Sequence, residues 1–412
     1  MLFTKAFCPS NNIISIVMLL LLCVCGSLFI LSVPTMGKLQ VHIPNNKPNY
    51  AYIPKKTYKF CTFPEKLCVW STTMTNQSDG SIEDPPFWSE LRLPSLLGKD
   101  SFQKLHSAIE TEWDPVQRSA CQTAAGRALW KHVTNDMLAE LLAGERQLTS
   151  FHEKIRKDRL NSAREVSGVI LAVRTLWFDS KLEAAVSFFN DEVFQTVLLG
   201  AGMDTRAYRL NCLTNSHVFE VDFPQVLQMK ASLLHEVVES RDEEHNVAIK
   251  AKTLTSVEAD ITGDDWLEKL QESGFILEKN TVWILEGFLY YLSDCNAIDV
   301  LKTIASHCTL TPTVLLADFM NKPSTTLSKS TFQFYSDWPD QLLPTLGFSD
   351  VKLSQIGDPD AHFGLLHDPS NMFNKLRTIP RSVEVDPDNG TPCCRLYLVQ
   401  ALGSPSRTIQ RL

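Results

Sequence analysis

Residues 194–210, FQTVLLGAGMDTRAYRL, end an apolar run in Gly-Ala-Gly and follow it with an acid, a hydroxyl and two arginines. Glycines at a strand-to-helix turn let the main chain approach a ligand closely, and the helix that follows offers free N–H groups. Gly200 and Gly202 are therefore candidates to lie against a cofactor. A GxG turn is also an ordinary structural turn, and the third glycine of the dinucleotide fingerprint is Thr205 here. About 20 residues further on, where an acid can accept both hydroxyls of a ribose, HVFEVDF sets Glu220 and Asp222 on one face of a strand pattern, Asp222 at its carboxyl end. EADITGDDW brings Asp260 and Ile261 to the end of a third strand, a carboxylate for an exocyclic amine and an aliphatic side chain for a purine face. VWILEGFLYYL puts Glu286 directly behind four apolar residues. Buried bare it would cost several kcal/mol, so it is paired, bound to a cation, or capping a helix. Arg174 in VILAVRTLWFD makes the complementary demand: it needs a ligand's carboxylate or phosphate, or else a structural partner in Asp179 or a sheet acid. Tyr290 and Tyr291 follow Glu286 closely enough to line an acceptor pocket, with Tyr291 the candidate catalytic residue and aromatic packing the alternative use.

Residues so placed require a sheet whose strands end where they stand. QTVLLG, HVFEVD, SVEADI, TVWILEG and TVLLADFM are short apolar runs separated by helix-like stretches, the alternation of a parallel sheet with helices on both faces. VKLSQIG and CRLYLVQAL add two strands, including an antiparallel edge. Ahead of them, residues 87–190 carry apolar side chains at three- and four-residue spacing in SFQKLHSAIETEW, QTAAGRALWKHVTNDMLAELLAGE and REVSGVILAVRTLWFDSKLEAAVSFF, helices suited to covering the core.

Residues 13–33, IISIVMLLLLCVCGSLFILSV, carry no charge and are long enough to cross a bilayer as one transmembrane helix. The apolar core of a cleaved signal peptide is only about 7–15 residues, so an uncleaved anchor is expected, with the secretory lumen as the alternative destination after cleavage. Lys38, Lys47, Lys55, Lys56 and Lys59 lie behind it against Lys5 ahead of it, which turns the main domain toward the cytosol. Residues 34–86, rich in Pro, Asn, Lys and Thr, read as a tether, and 87–412 as the catalytic domain.

With 412 residues and 44% hydrophobic composition, the chain can bury one large α/β core. A net charge of −8 and no long Lys/Arg cluster argue against nucleic acid as a partner. The cysteines fall without a CxxC pair and the histidines are dispersed, His362 and His367 being the nearest pair in the C-terminal half, so no metal site is expected. Cys61 with Cys68, and Cys393 with Cys394, would have redox roles only in an oxidising compartment.

Taken in order, AVRTLWFD, LLGAGMDTRAYRL, FEVDFPQV, ADITGDDW and WILEGFLYYL resemble the leucine carboxyl methyltransferase superfamily over roughly residues 110–402. The resemblance implies a class I, Rossmann-like sheet of seven mostly parallel strands under a helical lid, with S-adenosyl-L-methionine as methyl donor. It assigns Arg174 to the donor's methionine carboxylate, Gly200 to the close backbone approach, Asp222 to the ribose, Asp260 and Ile261 to the adenine end and Glu286 to the methionyl side. Asp204 and Thr205 are expected to cap the first helix, and Arg206 and Arg209 to hold the acids in place. The wording of the motifs is nearer to the O-methyltransferases with small-molecule acceptors, carboxylate or hydroxyl, than to the enzymes that methylate the C-terminal leucine carboxylate of a protein phosphatase. A nicotinamide-dependent oxidoreductase and a non-catalytic membrane-tethered scaffold are the readings from other classes. The first leaves Arg174 and Glu286 unexplained, and the second leaves a full set of binding chemistry unused.

Overall fold

Seven runs become strands, the five inner ones rich in Val, Leu, Ile or Phe and the two edges, β3 and β6, more polar: β1 (Phe194–Leu199), β2 (Ser216–Asp222), β3 (Thr253–Glu258), β4 (Thr281–Leu285), β5 (Thr313–Met320), β6 (Asp350–Gln355) and β7 (Leu396–Gly403). The computed structural model describes residues 90–403, apart from 162, 164, 190–192, 242–243, 246, 329–330 and 367–370. The apolar segment 13–33, the tether, Cys61, Cys68 and His367 lie outside the described residues. Among the described residues, no helix is long and apolar enough to cross a membrane.

The strands form one sheet in the order β3-β2-β1-β4-β5-β7-β6. β1 to β5 run parallel, and β7 is antiparallel to both neighbours. The antiparallel strand therefore stands one place in from the edge, and β6 is the edge itself. Side-chain chemistry explains the exchange. Leu396–Gly403 is apolar on both faces and suits an interior position, whereas Asp350–Gln355 alternates exposed with half-buried residues through its first four positions and tolerates a free edge.

Nine helices of seven residues or more accompany the sheet among the described residues: α1 (Asp100–Glu112), α2 (Pro115–Leu129), α3 (Glu145–Leu160), α4 (Val169–Phe188), α5 (Pro224–Ser240), α6 (Trp266–Glu272), α7 (Asp294–His307), α8 (Pro339–Leu346) and α9 (Met372–Thr378). The start of α2 is fixed by a capping box, Asp114 accepting from the Val116 and Gln117 amides while the Gln117 side chain accepts from the Asp114 amide, with Pro115 at the first helical position. The long helical pattern after it breaks at Asn135, which takes a left-handed conformation. On one face of the sheet Val197, Val221, Trp283, Leu315 and Tyr397 pack with Leu270 of α6, Val300 and Ile304 of α7 and Leu343 of α8. The period of two along a strand turns their neighbours Leu198, Glu220, Ile284 and Asp318 to the other face, where α4 reaches β5.

Candidate donor-binding site

The carboxyl ends of β1, β2, β3 and β4 open into one cavity of about 250 Å³. Arg174, Gly200, Asp222, Asp260, Ile261, Glu286 and Tyr291 all stand in its wall. Opposite the strand ends the cavity is closed by α2, which presents Val116, Ser119, Ala120, Thr123 and Arg127.

At the turn after β1, Gly200 and Gly202 have φ of +70° and +48°. A Cβ on Gly200 would lie 2.5 Å from Cδ2 of Phe288, so glycine is required there by the fold as well as by any ligand. Gly202 donates its amide to Oδ2 of Asp222 at 2.7 Å, and the Phe223 amide donates to Oδ1 at 2.7 Å. Asp222 thus ties the glycine turn to the end of β2 while one edge faces the cavity. Burial pushes its carboxyl above the ordinary range, against the pull of these two amides. Glu220, on the same face two residues earlier, does not reach the cavity. It is buried against Nζ of Lys230 at 2.7 Å, and its Oε1 has no partner among the described residues.

The helix after the glycines has only four residues, Arg206–Arg209. Thr205 makes no side-chain cap, whereas Oδ1 of Asp204 accepts the Arg206 amide at 2.7 Å. Arg206 and Arg209 do hold the acids. Arg206 donates to Asp204, to Asp179 at 2.7 Å and to Oε2 of Glu286 at 2.6 Å, and Arg209 donates to Asp179 at 2.5 and 2.9 Å. Although burial opposes it, Arg206, Arg127 and Lys230 hold the Asp204 carboxyl down to about 2. Glu286 is likewise held below the usual range by Arg206 and Arg174, against the effect of burial.

Arg174 finds its partners in the sheet, not in Asp179. Its Nε donates to Oε1 of Glu286 at 3.0 Å, and its Nη1 to Oδ2 of Asp318 and to the Tyr290 hydroxyl, both at 3.3 Å. No described residue takes a hydrogen bond from its Nη2. Arg127 is arranged similarly: Nε donates to Asp136 at 2.8 Å and Nη2 to the Met203 carbonyl at 2.5 Å, while Nη1 has no partner among the described residues. Two guanidinium edges remain for a ligand carboxylate. Their anionic counterparts Asp204 and Glu286 share the same wall.

At the β3 end, Asp260 is exposed and its Oδ1 accepts from the amide and hydroxyl of Thr262 at 2.9 and 2.7 Å, an Asx turn that presents Ile261 inward. Tyr290, Tyr291 and Phe332 form an aromatic cluster at the far end. Burial raises the Tyr291 phenol above its ordinary range, so at neutral pH it is a hydroxyl and not a base. Arg127, Asp318 and the Asp136 that anchors Arg127 escaped sequence reasoning. Arg127 stands in an alanine-rich helix with little amphipathic signal, and Asp318 was read as one residue of an apolar strand. A charge inside so apolar a run was the available sign. Cys393 and Cys394 are both buried, and among the described residues no group of His, Cys, Asp and Glu could hold a metal ion.

Residues 120–305 match the family model for leucine carboxyl methyltransferase. A protein of Parafrankia sp. (strain EAN1pec), provisionally named an S-adenosyl-L-methionine-dependent methyltransferase, is 38% identical over 136 residues, 33% of this chain and 39% of that relative. One of Mycobacteroides abscessus with the same provisional name is 35% identical over 137 residues, 33% of this chain and 42% of the relative. The matched stretch thus spans about two fifths of these relatives. Among solved structures, a provisionally named methyltransferase of Thermobifida fusca aligns over 68% of this chain and 94% of its own at 15% identity, with a TM-score of 0.36.

Proposed function

From the match of residues 120–305 to the leucine carboxyl methyltransferase family model, we propose that the protein is a member of that family and an S-adenosyl-L-methionine-dependent O-methyltransferase. Its acceptor is the carboxylate or hydroxyl of a small molecule. The observation that carries the reading is the distribution of charge and shape around one cavity. Two guanidinium edges and two acids, Asp204 and Glu286, suit the zwitterionic end of an amino acid, Asp222 suits a ribose, and Ile261 beside Asp260 suits a purine. The donor, when bound, supplies a methyl group on a sulfonium, open to in-line attack by an oxygen nucleophile.

This chain's own residues orient and shield. Arg174 and Glu286 fix the methionyl end, Asp222 and the glycine turn fix the ribose, and α2 with the tyrosine pair excludes water. The cavity wall holds no histidine, lysine or cysteine. Its carboxylates of lowered basicity, Asp204 and Glu286, are already paired with arginine. Asp222 has both oxygens on main-chain amides. The one wall carboxylate not so engaged, Asp260, stands at the proposed adenine end, so no wall residue at the methionyl end is suited to take a proton, which favours an acceptor that arrives as an anion, a carboxylate first and an acidic hydroxyl second. Titration of the purified full-length chain with S-adenosylmethionine and with NADH tests the class. Binding of NADH and not of the methyl donor would overturn it.

We further propose, from residues 13–33 and the lysines behind them, a single-pass membrane protein with a cytosolic catalytic domain. Carbonate extraction should leave it in the membrane pellet, and protease added to intact microsomes should digest the domain. A protected domain, or a glycan on Asn76, would place the domain in the lumen.

A further inference from the structure

Asp318 lies outside the cavity wall and is wholly buried at the carboxyl end of β5. It makes two bonds, each to a different half of the Arg174–Glu286 pair. Oδ2 accepts Nη1 of Arg174 at 3.3 Å. Oδ1 accepts the Gly287 amide at 2.8 Å, in the peptide directly after Glu286. That peptide needs holding, because Gly287 turns the chain with φ of +66° and packs so tightly on Arg174 that a Cβ would stand 3.2 Å from both Nη atoms. With Oδ2 occupying Nη1 and Oε1 of Glu286 occupying Nε, the guanidinium plane is fixed and Nη2 is the edge left for a ligand.

We propose that Asp318 is a positioning residue of the donor site: it locks Arg174 and the Gly287 turn together, so that the guanidinium edge and the Glu286 carboxylate are presented to the donor's methionyl end in one geometry. The inference rests on the proposed function. The groups facing Asp318 are Arg174 from α4 and Glu286, Gly287, Tyr290 and Tyr291 from the segment after β4. Burial pushes its carboxyl up to about 6 against the pull of Arg174, so the lock is charged at neutral pH and weakens in mild acid.

The test uses the full-length protein and two variants. Asp318→Asn retains an acceptor for Gly287 but turns an uncharged amide to the guanidinium, and Asp318→Ala releases both. We expect the Kd for S-adenosylmethionine at pH 7.5 to rise roughly 10- to 100-fold in Asp318→Asn, as when a hydrogen bond between charged groups is lost. Wild-type affinity should weaken as the pH falls through about 6, and the variant should lose that inflection. Hydrogen exchange at Gly287 should quicken in Asp318→Ala and stay slow in Asp318→Asn. An unchanged Kd and pH profile in a folded Asp318→Asn would overturn the proposal. If wild type itself binds no donor, the functional reading fails instead. Exchange at Gly287 then decides the lock alone, fast in Asp318→Ala upholding it and slow overturning it.

Discussion

Glu220 and Asp222 look alike in sequence, two acids two residues apart on one strand, and the structure gives them different surroundings. Replacing each by alanine should therefore dissociate ligand binding from stability. Asp222 accepts two main-chain amides at 2.7 Å and fronts the cavity. Bonds to a charged acceptor contribute about 1.5–3 kcal/mol each, but burial of this carboxylate is itself unfavourable, so the net loss of stability in Asp222→Ala should be about 1–2 kcal/mol. On the proposed function its loss also leaves two ribose hydroxyls without a charged acceptor, worth roughly 2 kcal/mol or about 30-fold in donor Kd. Glu220→Ala removes nothing from the cavity but strands the Lys230 ammonium, whose side chain is only 3% exposed. Breaking a buried pair in this way costs about 3 kcal/mol. Calorimetry with S-adenosylmethionine and thermal unfolding of the unliganded protein read the two effects separately. The expected pattern is a large change in Kd with a small fall in Tm for Asp222→Ala, and the reverse for Glu220→Ala. If Glu220→Ala weakened donor binding more than Asp222→Ala, the assignment of the ribose acid would be wrong.

Arg174→Lys keeps a charge but loses the planar fork that meets Glu286, Asp318 and a ligand at once, so the donor KM should rise at least tenfold while the fold survives; normal donor binding with a lowered Tm would mark Arg174 as purely structural. Gly200→Ala forces a Cβ into the Phe288 ring at positive φ and should destabilise the unliganded protein by at least about 2 kcal/mol, measured by denaturant unfolding. Asp204 titrates at about 2 in the fold against an ordinary 3.8, so its contribution to stability is fully present above pH 3.8 and lost as the pH falls through 2. Asp204→Asn should flatten the acid limb of a stability–pH curve in that window, and an unchanged limb would show that the ion pair does not hold it.

The core strands were legible because β1, β2, β4 and β5 are buried on both faces and read as apolar runs between helices. Gly200, Asp222, Asp260 and Glu286 could be singled out for a related reason: each is a glycine or a charge at or just after a strand end, where a parallel sheet opens, whereas Arg174 stood out as a charge inside an apolar helix and Ile261 and Tyr291 only by their nearness to those acids. What escaped was pairwise. Nothing local in LLADFM says that Asp318 meets Arg174, 144 residues away in the chain. Nothing in TAAGRALW says that the guanidinium of Arg127 bridges Asp136 and the Met203 carbonyl. The order of β6 and β7 was also hidden, because strand propensity does not state which of two antiparallel neighbours stands inside. The four-residue helix after the glycines departs from the usual long crossover helix. Its turn is held by ion pairs through Arg206 and Arg209 and not by helix length.

The seating of β7 between β5 and β6 sets an order of events during synthesis. β5, all eight of whose residues are buried, has β4 on one side as soon as it leaves the ribosome, but its other neighbour is not made until residues 396–403 are translated. Until then β5 presents an apolar open edge, the form in which strands pair with the wrong chain. A nascent or truncated product ending anywhere in 321–395 should therefore be a client for chaperones and prone to aggregate, even though every residue of the proposed donor site has already been made. The proposed donor site and the closure of the sheet's open edge are thus completed by different parts of the chain.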